Sequence, residues 1–255
     1  MTLPAPLDLS QTVAIVTGAS QGIGRAIALC LARWGARVTL AARNAERLAD
    51  TARLVQEAGS DACVVTTDVT SAQQIQAMVD TTLERFGQID VLVNNAGIML
   101  QQPLLELTES DWHRVLDTNL TSMFLSCQCV GKHFVARQRG KIINIASHWG
   151  FIGVSNVAPY CASKGGVVQL TRALAVEWAR YNITVNAVAP GYIATELNAE
   201  ARNTEGLRNH MLRQIPLRRF GEAEEVGHVV AFLSSTAANF ITGQTIVVDG
   251  GQISA

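Results

Sequence analysis

Tyr160 and Lys164 stand four residues apart in a segment of helical period, so both side chains project from one face of one helix. The 255-residue chain has only three tyrosines, and its three lysines are outnumbered by arginines, which makes chance a poor explanation of the pair. A tyrosine hydroxyl titrates at about 10, too high for an efficient base at neutral pH. An ammonium within about 4–6 Å favours the phenolate, so Lys164 is expected to ease the proton off Tyr160. Ser147, just after the apolar run Ile142–Ala146, adds a hydroxyl that can hydrogen-bond a reacting oxygen, although a plain strand end would read the same. A tyrosine, a lysine and a serine in this arrangement can carry a proton to or from an alcohol or carbonyl oxygen. Interconversion of the two by hydride transfer requires that step.

A second group of residues suits a phosphate. Thr17-Gly18-Ala19-Ser20-Gln21-Gly22-Ile23-Gly24 follows an apolar strand-like run and opens a helical one. Glycines allow a tight turn and close backbone approach, and free N–H groups at a helix N-terminus favour a pyrophosphate. The spacing Gly-x-x-x-Gly-x-Gly differs from the common dinucleotide fingerprint, and no Gly-Lys-Ser/Thr follows, so a nucleotide triphosphatase is excluded. The same pattern also fits a tight strand-to-helix turn. The end of the second strand reads Ala41-Ala42-Arg43-Asn44, without the carboxylate that would hold a ribose 2′-hydroxyl. Arg43 can instead meet a 2′-phosphate, which points to NADP over NAD; a solvated arginine opening a helix is the alternative.

The elements that must position these groups alternate. Short β-branched runs at Val13–Thr17, Arg37–Ala41, Cys63–Thr66, Val91–Asn94, Ile142–Ala146, Ile183–Ala189 and Thr245–Val248 are separated by helical segments. The helices are expected at Gly22–Trp34, Asn44–Ala58, Ser71–Phe86, 108–138, Pro159–Tyr181 and Glu222–Ser234. Runs apolar on both faces require helices on both sides of the sheet. The fold expected is therefore α/β: one Rossmann-type, doubly wound parallel sheet of about seven strands in a single domain over 1–255. A looser stretch at 190–216, too long for an ordinary connection, is a candidate substrate lid.

Composition removes other classes. Hydrophobic residues make up 48% of the chain and charged ones 16%, with a net charge of −1, so no global field exists to hold nucleic acid or an anionic membrane. No run reaches the roughly 18 apolar residues of a membrane span, and Met1–Gln11 lacks a signal-peptide pattern, so a cytoplasmic location is expected. The five cysteines and five histidines show no ligand spacing, and no metal site is expected. The low charged fraction and the apolar surplus on the two long helices point to a homotetramer.

With these motifs in hand, the chain resembles the short-chain dehydrogenase/reductase family from Thr12 to Gly251. The matching motifs are Thr17–Gly24, Asp68-Val69, Asn94-Asn95-Ala96-Gly97, Asn119, Ser147 with Tyr160-x-x-x-Lys164, Pro190-Gly191 and Asp249-Gly250-Gly251. The resemblance implies a catalytic tetrad of Asn119, Ser147, Tyr160 and Lys164, with Asn119 holding a water behind Lys164. It places cofactor contacts at Gly18, Ser20, Gln21, Gly22, Ile23, Gly24 and Arg43, and an adenine contact at Asp68 and Val69. Asn95, Ala96 and Gly97 would stand beside the cofactor, and Pro190, Gly191, Ile193 and Thr195 would hold its nicotinamide end. Read as residues alone, Asn119 could be a satisfied core asparagine and Asp68 a turn cap.

Substrate contacts are expected from Ser147, His148, Trp149, Asn156 and Tyr192, with Met99, Gln101, Phe151, Glu196 and Asn198 nearby. The segment Ala175–Asn198 resembles sugar-acid and polyol members of the family, gluconate 5-dehydrogenases in particular. A small polyol or sugar acid is therefore the substrate expected. The alternatives are a 3-oxoacyl-(acyl-carrier-protein) reductase and a catalytically silent, cofactor-sensing protein. Against the first, the positions at which carrier-dependent members place arginines fall near Gln138 and Tyr181, although Arg137, Arg139 and Arg180 are adjacent.

Overall fold

The computed structural model describes residues 5–196 and 199–254. Seven strands form one wholly parallel sheet: β1 (Val13–Thr17), β2 (Arg37–Ala42), β3 (Ala62–Thr66), β4 (Val91–Asn94), β5 (Gly140–Ile145), β6 (Ile183–Pro190) and β7 (Thr245–Val248). Their spatial order is β3-β2-β1-β4-β5-β6-β7, so the chain reverses direction of travel between β3 and β4. Ligands of such sheets bind outside the carboxyl ends of the strands, at that switch.

Alternation along each strand divides the core. Ala14 and Val16 of β1 join one apolar cluster and Ile15 the other, and Ile143 and Ile142 of β5 divide likewise. On the first face lie α1 (Gly22–Arg33), α2 (Ala45–Glu57) and α9 (Ala223–Ser234), burying Ile27, Leu48 and Val230. On the second lie α3 (Ala72–Phe86), α5 (Ser122–Arg137) and α6 (Ala158–Trp178), burying Met78, Phe134 and Ala175. Local chemistry starts these helices where the sequence says it should. The Asn44, Ser71 and Thr108 side chains accept from the backbone N–H three residues on, and Glu222 and Glu225 form a reciprocal capping box.

Three expectations change. The helix expected over 108–138 is interrupted: α4 (Glu109–Leu116) passes into a π-helical turn, Asp117–Thr121, before α5 resumes. Strand β5 begins two residues earlier than expected, at Gly140, where a side chain would overlap the Phe134 ring. The stretch 190–216 is not loose throughout, since it contains α7 (Ala199–Asn203) and α8 (Glu205–Gln214). Among the described residues, no helix is long and apolar enough to cross a membrane.

Candidate active site

A cleft of about 1210 Å³ opens along the carboxyl ends of the strands. It is lined by the loop after β1 (Gly18, Ser20, Gln21, Gly22, Ile23, Gly24), by Arg43 after β2, and by Asp68 and Val69 after β3. Asn95, Ala96 and Gly97 line it after β4, Ser147, His148 and Trp149 after β5, and Pro190, Gly191, Tyr192, Ile193 and Thr195 from β6 onward. Tyr160 and Lys164 enter it from α6.

The loop after β1 is tied to the one after β4. Thr17 Oγ1 accepts from the N–H groups of Asn95 (3.0 Å) and Ala96 (3.1 Å), and Asn95 Nδ2 donates to Thr17 O at 2.9 Å. Gly18 takes a φ of +66°, and a Cβ there would lie 3.0 Å from Ala96 Cα. A Cβ on Gly24 would collide with Gly18 O, so only glycine lets α1 start this close to β1. The N-cap residue of α1, Gln21, places no side chain on the first-turn N–H groups. An uncapped helix N-terminus at the mouth of a long groove is the arrangement a pyrophosphate fills.

At the β2 end, Arg43 and Arg47 both border the cleft, and Arg47 Nη1 donates to Gln21 Oε1. Arg47 is a cation the sequence reading missed; its spacing of one helical turn from Arg43 is the signal that could have found it. Asp68 does cap its turn: Oδ1 accepts from Thr70 N (2.9 Å) and Thr70 Oγ1 (2.7 Å). Those bonds, the backbone one foremost, hold its carboxyl below the usual range, and the Arg43 guanidinium adds to the effect.

The other end of the cleft holds the reactive groups. Ser147, 5% exposed, lies two residues past the end of β5 in extended conformation and accepts from Trp149 N at 3.2 Å. Lys164 is buried, donates to Ile145 O at 2.8 Å, and sits 5.7 Å from the centroid of the Tyr160 ring. Burial pushes the Lys164 ammonium down to about 8. Burial also raises the Tyr160 hydroxyl, with a hydrogen bond to Ser147 opposing it. Desolvation leads that shift and Lys164 is not among its causes, so the lowering expected from Lys164 does not appear in it.

Asn119 does not border the cleft but lies behind it, in the π-helical turn and fully buried. Its Oδ1 accepts from Ile98 N (2.8 Å), while Nδ2 donates to Ile98 O (2.9 Å) and to Ser163 Oγ (3.1 Å). Both Nδ2 protons are thereby engaged, while Oδ1 keeps one lone pair. A Cβ on Gly97 would stand 3.2 Å from Asn119 Oδ1 and 3.6 Å from Lys164 Nζ, so the missing side chain keeps open the space between them.

A family model described as Enoyl-(Acyl carrier protein) reductase matches residues 18–252. Gluconate 5-dehydrogenase of Gluconobacter oxydans is 39% identical over 251 residues, 98% of either chain. The 3-oxoacyl-(acyl-carrier-protein) reductase of Synechocystis sp. is 43% identical over 248 residues, 96% of this chain and 98% of its own.

The chain belongs to the short-chain dehydrogenase/reductase family.

A solved gluconate 5-dehydrogenase from Burkholderia cenocepacia, in complex with NADP and tartrate, has a TM-score of 0.94 at 39% identity, with 98% of each chain covered. As a short-chain dehydrogenase/reductase, the protein is an oxidoreductase of CH–OH and keto groups. The fold and family expected from the sequence are those found.

The substrate end of this short-chain dehydrogenase/reductase differs from expectation in detail. Asn156 is not in the cleft: it is exposed, in left-handed backbone (φ +64°), and its carbonyl accepts from Gln102 N at 2.7 Å. Phe151 also lies off the cleft, and Asn198 lies outside the described residues, whereas Met99, Gln101 and Glu196 border it. The sequence reading missed Leu207, His210 and Met211, which α8 turns toward the cleft. Their i, i+3, i+4 spacing was a helical signal inside the supposed loop. Trp149 stands edge-on to Tyr160 and Tyr192, with centroids 5.9 and 6.1 Å apart, and these rings wall the substrate end.

Proposed function

We propose that the protein is an NADP-dependent oxidoreductase interconverting a small polyol or sugar acid and its ketone, with Tyr160 as the proton-transferring group. The observation that carries this reading is the meeting of Tyr160, Ser147 and buried Lys164 at one end of a groove that fits a dinucleotide. A nicotinamide held in the groove would supply or accept the hydride; the side chains manage the proton. Ser147 and Tyr160 hold the reacting oxygen, and Tyr160 gives it a proton in reduction or takes one in oxidation. Lys164, fixed by Ile145 O, supplies positive charge beside Tyr160 below about pH 8. Asn119 is a positioning residue that locks the loop after β4 to α6 through Ile98 and Ser163.

Arg43 and Arg47 support NADP, since two guanidinium groups and no carboxylate end α2's side of the cleft. The NADP named with the Burkholderia relative agrees. The polar groups among the aromatic walls, and the gluconate 5-dehydrogenase relatives, support the substrate class. The Synechocystis relative favours a carrier-bound substrate instead. Against it, Arg137 is drawn inward by Ile89 O (2.7 Å) and Asp90 (3.2 Å), and Arg180 lies on the Tyr181 ring.

A screen of cofactor absorbance with polyols, sugar acids, hydroxysteroids and β-ketoacyl thioesters, using NADP and NAD, tests the reading. A polyol or sugar acid with NADP should give the highest kcat/KM. Faster turnover of a thioester or hydroxysteroid overturns the substrate class, and cofactor binding without any turnover would make the protein a sensor. The protein is also proposed to be a cytoplasmic homotetramer. Phe124 and Val176 are exposed on α5 and α6, beside a hollow of about 580 Å³ lined by Val135, Leu174 and Trp178. Light scattering should report four chains, and a monomeric mass would refute it.

A further inference from the structure

Four buried side-chain polar atoms have no hydrogen-bond partner among the described residues: Lys141 Nζ, His148 Nε2, Thr245 Oγ1 and Gln252 Oε1. Of these residues only His148 borders the cleft. Its ring is 2% exposed and packs against Trp149 and Tyr192, with centroids 5.4 and 5.5 Å away. His148 Nδ1 lies 3.0 Å from Pro190 O, and a carbonyl oxygen can only accept, so Nδ1 carries the proton. Burial lowers the pKa of the ring, while Pro190 O and Asp249 oppose that effect, so the imidazole is neutral. Nε2 is then a bare lone pair that can only accept. A buried acceptor without a partner is costly to leave so, and a substrate that reaches it with a donor removes the deficit.

We propose that His148 Nε2 accepts a hydrogen bond from a second hydroxyl of the substrate, close to the carbon that reacts at Ser147 and Tyr160. This rests on the reading of Tyr160 as the proton-transferring group only in naming which carbon reacts. It assigns the substrate a second O–H donor, which a simple ketone or a mono-alcohol lacks. A substrate without that donor leaves Nε2 unpaired, and the site discriminates against it.

Two substitutions separate the ring's two nitrogens. In His148→Asn, Nδ2 stands where Nδ1 was and keeps the bond to Pro190 O, but nothing replaces Nε2. In His148→Gln, Oε1 reaches toward the Nε2 position and restores an acceptor. Calorimetric titration of the NADP-saturated protein with cyclohexane-1,2-diol, cyclohexane-1,3-diol and cyclohexanol reads the subsite without turnover. Wild type should bind at least one diol roughly tenfold or more tighter than cyclohexanol. His148→Asn should lose that preference, and His148→Gln should recover part of it.

Equal binding of diols and cyclohexanol by wild type, absence of diol binding, or a preference that survives in His148→Asn overturns the proposal. So does a loss of affinity in His148→Asn that is equal for all three probes, which is the mark of a merely structural ring. Turnover is scored separately: the diol preference without oxidation of any probe or of any polyol in the screen would support the subsite and refute the oxidoreductase substrate reading alone.

Discussion

Replacing Lys164 by methionine should make the cofactor-free protein more stable while removing its activity. Lys164 is 3% exposed, and its pKa falls from 10.5 to about 8 on burial. Such a difference between unfolded and folded states corresponds to about 3 kcal/mol of destabilisation at neutral pH. Methionine has similar length and no charge, so it removes that cost. It also removes the bond to Ile145 O, which returns about 1 kcal/mol, and the net gain is about 2 kcal/mol.

For a chain of this size that gain raises Tm by about 4–8 °C. The sign with pH is fixed. Below about 8 the lysine is protonated in both states and the full penalty is present. Between about 8 and 10.5 the unfolded chain binds more protons, so wild-type stability rises and the advantage of methionine shrinks. Thermal unfolding without cofactor, near pH 7 and at about pH 10, measures both effects. A Lys164→Met protein no more stable than wild type near pH 7, or one whose advantage does not shrink at about pH 10, would refute the reasoning. Turnover should fall at least about a hundredfold in the same variant.

Tyr160→Phe should lower kcat by about 10²–10⁴-fold with NADP affinity nearly intact, and retention of a tenth of the wild-type rate in a steady-state assay would show that the proton moves elsewhere. Arg43→Ala should raise KM for NADP about ten- to a hundredfold and leave NAD kinetics nearly unchanged; equal effects on both cofactors would deny it a 2′-phosphate. Gly24→Ala, which would ordinarily favour a helix by about 1 kcal/mol, should instead destabilise by about 1–3 kcal/mol, because the methyl collides with Gly18 O. Denaturant unfolding of that variant checks the sign.

The positions of strands and helices along the chain and the two-faced core were legible because they rest on periodicity and glycine punctuation, which are local and strong. Tyr160 and Lys164 were legible because a helix converts their spacing into shared direction. What stayed hidden depends on distant packing. Nothing local to 108–138 shows that the chain changes winding at Asp117–Thr121, since its residues fit an α-helix equally well. Asn156 looked available because it precedes Tyr160, but its left-handed backbone and its carbonyl bond to Gln102 N turn the loop outward. The direction of the Tyr160 shift stayed hidden for a related reason: spacing shows a charge one helical turn away, but not the depth of burial that leads the shift.

The π-helical turn gives α4 and α5 a phase relation that ordinary winding would not. A ring of hydrogen bonds closed one residue later is equivalent to an α-helix carrying one inserted residue. Deleting one residue between 117 and 121 would let the helix run on regularly with α5 close to its present phase, because the wider turn already absorbs the roughly 100° that one extra residue adds. The residues that α5 now seats against the sheet, Met123, Cys127, Val130 and Phe134, would keep their places, and only the turn that presents Asn119 would be lost. The extra residue therefore serves the grip on the loop after β4 and not the packing of α5, and a single deletion in the turn would separate the two.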